Sequence, residues 1–404
     1  MPSPPTPAEL GQGRRYKQLL FVNDYPPSGA AGAPIIAREL FAEYDPARLD
    51  VLYCGSWANS APDTFLPCRH TAVRAYTTRL RPRRVFVPIE ASLNCLRLNH
   101  IVNVGRRIIR ERGVEALFST SYGAEMPHAA YFLAREFGLP FYYFEMDRLD
   151  AVYLSPLTRR LINRHRVDFL KSAEKLWLIS PKMIRTYEEL YGVKGELLHH
   201  FVDLTKYEGL PRRSEQERDK ISILYTGSFN HIVLGSTIWL ARRLHRGFSI
   251  GGKPVELVIY GNQFPEEVRG PNVRYGGFVD KSRIPALLAD ADILFAPSTF
   301  DPPPGLREQV ETSMATKTVD YLASGRPVLI IGPTFSGLVD YFGPYSTVVD
   351  GPDEAKLERA LERIVTDHAY VAELRERGIE LVRTHHSKAA LHSSFLANFQ
   401  VPAP

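Results

Sequence analysis

Lys317 and Asp320 follow Thr316 in the stretch Thr316-Lys-Thr-Val-Asp-Tyr-Leu-Ala-Ser-Gly-Arg-Pro-Val-Leu. Their types and spacing suit capture of a phosphate-bearing molecule. A helix that begins directly after a loop offers backbone amides and the positive end of its dipole to an anion. Lys317 adds a cation there. Asp320 lies one turn after Thr316, on the same helix face, where a carboxylate can accept from sugar hydroxyls. A nucleoside diphosphate presents both groups. The two side chains also fit an ordinary solvated helix face, and on this stretch alone that plainer reading is preferred.

The elements that must hold these residues are legible nearby. The Thr316 hydroxyl is placed to cap the first turn. Gly325 fits a left-handed C-terminal position and Pro327 stops continuation. Val328–Ile331 is a continuous apolar run, the mark of a parallel strand covered on both faces. Similar runs occur at 18–22, 49–53, 116–119, 141–144, 175–179 and 197–201, with helical patterns at 34–44 and 92–112 between them. The alternation restarts at Ile221 with runs at 221–225, 255–260, 273–275, 293–297, 328–331 and 347–349, and residues 353–399 read as successive helices. Alternating strands and helices predict an α/β protein with two Rossmann-like, doubly wound parallel sheets. The expected divisions are a disordered proline-rich segment 1–16, a first domain 17–205, a polar linker 206–220 and a second domain 221–385.

Composition narrows the class. At 404 residues and 44% hydrophobic, the chain suits two domains with sizeable cores. A formal charge of +5 is a mild basic excess, suited to phosphate-bearing substrates or an anionic membrane surface. The basic stretches 74–84, 106–112 and 159–171 read as solvated faces or as attraction to anionic lipid, and no nucleic-acid module accompanies them. Three widely spaced cysteines argue against a disulfide framework or a zinc site. No secretory signal and no stretch of the roughly 20 apolar residues needed to span a bilayer is present. The expected location is cytoplasmic, with any membrane contact peripheral.

Further candidates sit at strand ends. The first strand runs into Asn23-Asp-Tyr-Pro-Pro-Ser-Gly-Ala-Ala-Gly32, where Gly29 and Gly32 allow close backbone approach. Tyr225-Thr-Gly-Ser-Phe-Asn-His231 places Gly227, Ser228, Asn230 and His231 at the mouth of the strand that restarts the pattern, where open α/β sheets bind ligands. Gly261 and Asn262 end the next strand, and Phe278 and Val279 follow the one after. Asp147 closes Phe141-Tyr-Tyr-Phe-Glu-Met-Asp147, and His128 lies at a helix start. Each of these is also compatible with an ordinary turn or a structural side chain. No His/Cys cluster has metal-ligand spacing.

The Thr316–Leu329 pattern resembles the donor-site helix of retaining glycosyltransferases with the GT-B fold, the glycosyltransferase family 4-like group. That family carries two glutamates separated by seven residues and then a small residue–Gly–x–Pro–Val ending. Asp320 matches the second acidic position. The first falls on Thr312, with Glu308 and Glu311 close but out of register. The order of the 221–332 blocks is similar to the family's pyrophosphate loop, base-binding strand end and donor helix.

The resemblance implies two Rossmann-like domains facing across a cleft, with residues 386–404 crossing back to the first. It implies a nucleoside diphosphate-sugar as co-substrate, no cofactor and no metal. It assigns donor binding to the Gly227 loop, the Gly261 and Phe278 strand ends, and Thr312, Thr316, Lys317, Thr318 and Asp320. Gly29 and Gly32 resemble the first-domain phosphate loop. Asp147 matches the second member of the family's His-Asp pair, whose first is replaced by Met146, and Asp147, His128 and Lys317 are the catalytic candidates. The implied activity is sugar transfer, with retention, to a glycan, lipid-linked or small-molecule acceptor, as in cell-surface polysaccharide biosynthesis. A sugar-nucleotide epimerase of the same fold and a non-catalytic sugar-nucleotide-binding subunit remain open beside it.

Overall fold

The computed structural model describes residues 14–29, 32–59, 61–74, 89, 92–93, 96–148, 156–210, 219–303 and 306–402. They fall into two compact units. The first takes the chain through Ile179, Met183–Leu198 and the residues from His392 onward, and the second takes Ser180–Lys182 and His199–Leu391.

In the first unit the strands lie in the order Arg69–Val73, Leu49–Cys54, Leu19–Asn23, Ala116–Thr120, Phe141–Glu145, Ala173–Leu178 and Glu196–Leu197. All these pairings are parallel. The central Leu19–Asn23 strand is buried at every position, as its apolar run requires. Chain order reverses direction between it and Ala116–Thr120. That switch point opens a crevice at the strands' carboxyl ends, the usual ligand position in such sheets. Phe41, Phe118, Trp177, Phe395 and Phe399 pack edge to face and tilted on one side of the sheet.

In the second unit the parallel strands run Val273–Gly277, Lys253–Tyr260, Ile221–Thr226, Ile293–Pro297, Val328–Ile331 and Thr347–Val349, with a short antiparallel Ser249–Ile250 beside the start of the second. Both units therefore place their third strand outermost on one side and their first beside their fourth. Here the core is Ile223, Leu257, Phe295 and Leu329 from the strands, covered by Leu240 and Leu244 of helix Leu234–His245 and by Leu357 and Leu361 of helix Glu354–Thr366.

Several expectations change. The segment 1–16 ends in a strand, because Arg14–Tyr16 pairs antiparallel with Gln400–Pro402; residues 1–13 lie outside the described residues. The strand expected at 197–201 is only Glu196–Leu197, and the chain then leaves the sheet. Strand Arg69–Val73 had no sequence signal, since its burial alternates weakly along Arg-His-Thr-Ala-Val. The expected linker 206–220 is not featureless: Leu204–Tyr207 forms a 3-10 turn packed into the second unit, while 211–218 lie outside the described residues. The basic stretch 74–84 also lies outside them beyond Arg74. Among the described residues no helix is long and apolar enough to cross a membrane.

Candidate functional site

The carboxyl-end mouth of the second unit's sheet is built around helix Lys317–Ala323. Thr318, Val319, Tyr321, Leu322 and Ala323 are buried. This leaves Lys317 and Asp320, three residues apart, on the half-buried face. The Tyr321 hydroxyl accepts from the Thr226 amide at 3.0 Å and lies 3.1 Å from its Oγ1. That contact fixes the helix against the end of strand Ile221–Thr226. Gly325, at φ 67°, turns the chain out of the helix, and Arg326 donates twice to Ala289 O.

Lys317 sits one turn before Tyr321, so its side chain reaches the Gly227 loop. Its ammonium lies 4.0 Å from the centre of the Tyr225 ring. A methyl group on Gly227 would stand 2.4 Å from Nζ, and Gly227 has φ 133°, so no larger residue fits without displacing the lysine. No carboxylate pairs with Lys317 among the described residues, and burial pushes its ammonium down to about 7. A protein-held cation with a ring beneath it and no counter-ion is suited to an anionic ligand.

The loop itself is tightly laced. Gly227 N donates to Tyr260 O at 2.8 Å, and Gly261 N donates to Gly277 O at 3.0 Å. A Cβ on Gly261 would lie 2.3 Å from Gly227 O, so adjacent strand mouths approach with only backbone between them. Ser228 Oγ donates to Asn262 Oδ1 at 3.1 Å, and Tyr225 OH donates to Ser228 O at 2.8 Å. Phe278 is 78% exposed beside half-buried Val279, an aromatic face open to stacking.

Asp320 is held from two sides. Its Oδ1 accepts from Tyr207 OH at 2.7 Å, and its Oδ2 lies 3.4 Å from His200 Nε2. Burial pushes this carboxyl up, but the hydrogen bond and charge of His200, the Tyr207 hydroxyl and the charge of Lys281 together hold it below the usual carboxylate range. Neither His200 nor Tyr207 was a sequence candidate. They lie more than a hundred residues upstream, in a segment with no motif.

Other expectations are corrected. Thr316 makes no side-chain cap, because its own backbone is already helical. The Thr318 amide donates to Ala315 O at 3.0 Å, so it is committed to the turn; Thr318 Oγ1 is buried with no hydrogen-bond partner among the described residues. With a helix of seven residues, the dipole is short, and the charge at this mouth resides in Lys317. Thr312 is buried and donates to Glu308 O at 2.9 Å within its own helix, while its carbonyl accepts from Ser180 Oγ at 2.7 Å. Asn230 Oδ1 accepts from the Ile232 and Val233 amides, which starts the following helix. His231 Nε2 lies 3.2 Å from Gln309 Oε1.

The remaining candidates belong to the first unit. His128 is 1% exposed, stacks on Phe169 and places Nδ1 2.6 Å from Ala124 O. Burial pushes it down to about 4, so it is a neutral packing residue near neutral pH. Asp147 is exposed, its amide donating to Ser121 Oγ at 3.0 Å. Gly29 N donates to Thr64 Oγ1 at 2.6 Å, Gly32 has φ 75° at the start of helix Ala33–Leu40, and residues 30–31 between them lie outside the described residues. At the first unit's switch point stand two carboxyls the sequence reading did not single out. Asp24 Oδ2 accepts from Gly123 N at 2.9 Å, and Glu125 opens helix Glu125–Phe137. Burial pushes both carboxyls up, and the charge of Asp24 adds to the shift of Glu125. Among the described residues no group of three His, Cys, Asp or Glu side chains could hold a metal ion.

Residues 239–396 match the family model described as glycosyl transferase-like. No curated protein matches the sequence. Solved structures match over nearly the whole chain. Sucrose-phosphate synthase from Thermosynechococcus elongatus is 15% identical, covers 94% of this chain and 97% of its own, and has a TM-score of 0.67. Anabaena HepE, solved in complex with UDP and glucose, is 12% identical, covers 95% and 99%, and scores 0.65. α,α-Trehalose 6-phosphate synthase from Burkholderia multivorans is 13% identical, covers 95% and 96%, and scores 0.62. The chain has the GT-B glycosyltransferase fold, as the donor-helix resemblance implied.

Proposed function

We propose that the protein is a glycosyltransferase that moves a sugar from a nucleoside diphosphate donor to an acceptor hydroxyl, with retention. The carrying observation is the Lys317 ammonium, matched by no carboxylate among the described residues and held over Tyr225 at the Gly227 mouth. In this reading Lys317 and the Gly227 loop take the diphosphate and Asp320 takes the ribose hydroxyls. The Gly261–Asn262 and Phe278–Val279 ends receive the nucleobase, with the Phe278 ring available to stack on it. The family match over 239–396 and the fold shared with structures such as HepE, which was solved with UDP-glucose, support the assignment.

The chemistry follows from the charge. As the glycosidic bond breaks, negative charge grows on the diphosphate oxygens. A fixed cation beside them is stabilising most in the transition state. Because Lys317 supplies that charge, the proposed mechanism calls for no metal at the diphosphate. We assign acceptor binding to the first unit, where Asp147 is exposed at a strand end. His128, buried and neutral, has no part in it.

The test is release of nucleoside diphosphate from UDP-glucose and related donors, with and without glycan, lipid-linked and small-molecule acceptors. Acceptor-dependent release and an axial product linkage by NMR are expected. Donor binding with no release for any acceptor would overturn the catalytic reading, and release or isomerisation with donor alone would replace transfer by hydrolysis or epimerisation.

A further inference from the structure

Asp320 is not a free surface carboxylate. Each of its oxygens already faces one partner, and both partners come from residues 200–207. That segment is itself fixed. Val202 N donates to His386 O at 2.8 Å, and Lys388 N donates to Val202 O at 3.0 Å. His386 Nδ1 lies 3.2 Å from the His200 carbonyl, and its Nε2 lies 3.0 Å from Tyr341 OH. Asp203 accepts from the Thr205 amide and hydroxyl, which closes the 3-10 turn that presents Tyr207. The backbone carrying both partners is thus locked at each end.

A carboxylate has about four lone-pair directions. The described residues use two here, which leaves two for a diol. A side chain whose rotamer is set before binding loses less entropy on complex formation than one that must be ordered by the ligand. Partners that only donate also keep the carboxylate ionised, the form that accepts most strongly from hydroxyls.

We propose that His200 and Tyr207 are positioning residues that fix the Asp320 carboxylate for recognition of a nucleotide's ribose diol. The proposal rests on the donor-site reading of Asp320 above. It adds that ribose selectivity depends on a segment outside the strand-mouth loops.

The test uses the full chain and isothermal calorimetry. UDP, GDP and ADP are screened first, and the tightest binder is compared with its 2′,3′-dideoxy analogue, on the wild type and on Tyr207→Phe, His200→Ala and His200→Gln. The wild type should prefer the ribonucleotide by about tenfold or more, two hydrogen bonds to a charged acceptor being at stake. Tyr207→Phe and His200→Ala should each lower that preference about three- to tenfold, leaving affinity for the dideoxy analogue unchanged. His200→Gln, which keeps an N–H donor, should restore most of it. Equal loss of both nucleotides in the variants would mean a merely structural role and would overturn the proposal, as would variants with full wild-type preference. A wild type that binds both forms equally would instead remove Asp320 from the ribose. A wild type that binds none of the three would end the donor reading itself.

Discussion

The two sheets share one strand order and differ at their mouths. In the second unit the switch-point strand leads to Gly227, with the Lys317 cation over an aromatic ring and no carboxylate partner among the described residues. In the first, the equivalent strand ends in Asn23 and Asp24, and Glu125 stands close enough for its charge state to depend on Asp24. Topology placed a ligand position at both. Side-chain charge then made one mouth attractive to an anion and the other unfavourable to it. The glycine at 227 is part of this difference, since the lysine tip occupies the space a side chain would need. The same backbone solution therefore does not imply the same ligand, and the donor reading rests on residues rather than on fold.

The largest expected effect is on rate. Lys317→Ala should slow transfer by about 10²–10³-fold, because the lost charge is aimed where negative charge develops. Donor affinity should fall less. Steady-state kinetics with donor binding measured separately check this, and equal losses would mean Lys317 binds ground and transition states alike.

Asp320→Ala should weaken ribonucleotide binding by about 1–3 kcal/mol through lost hydrogen bonds to a charged group. Calorimetry on a variant with wild-type circular dichroism reads it. Unchanged affinity would leave the second mouth with a phosphate site only.

A third prediction uses the Lys317 ammonium, pushed down to about 7 by burial. A bound diphosphate favours the charged form and raises that value. Nucleotide binding should therefore take up protons between about pH 7 and 9, and affinity should fall as pH rises through 7. Calorimetry in buffers of different ionisation enthalpy counts the protons. No uptake would show that the ammonium does not meet the diphosphate.

The smallest effects are on stability, and they should have opposite pH trends in the two mouths. For Lys317 the folded value lies below the unfolded one, so its charged form opposes folding most below about pH 7 and progressively less above it. Lys317→Met should raise the melting temperature of the unliganded protein by a few degrees at pH 6 and by less at pH 9. For Glu125 the folded value is raised to about 8, so stability falls as pH rises from its unfolded value, about 4, through 8. Glu125→Gln should accordingly stabilise more at pH 8 than at pH 5. Thermal scans of both variants across pH would show whether the two mouths are electrostatically opposed.

Much of the fold was readable because buried parallel strands leave a strong local signal. Ile293–Pro297 and Val328–Ile331 are uninterrupted apolar runs and Thr347–Val349 is β-branched throughout, and they form strands with those bounds. Gly325 and Pro327 announced the end of helix Lys317–Ala323 by backbone restriction alone. Arg69–Val73 was missed because only one of its residues is buried, so no apolar period marks it. The pairing of Arg14–Tyr16 with Gln400–Pro402 was missed because its partners are almost four hundred residues apart.

At the candidate site the sequence determined residue types and helix phase. Lys317 and Asp320 had to share a face, since they are three residues apart in a helix. It also determined where glycine would allow a close approach of strand mouths. Only the tertiary structure decided what those side chains meet. Whether Lys317 faces solvent or the Gly227 loop depends on the Tyr321 anchor at Thr226, a contact between residues 95 apart. Whether Asp320 is loose or held depends on Tyr207, 113 residues away, in a segment whose polar composition resembles a linker. Hydrogen bonds across such separations leave no periodicity in the chain, because each partner needs only the right group at the right point in space.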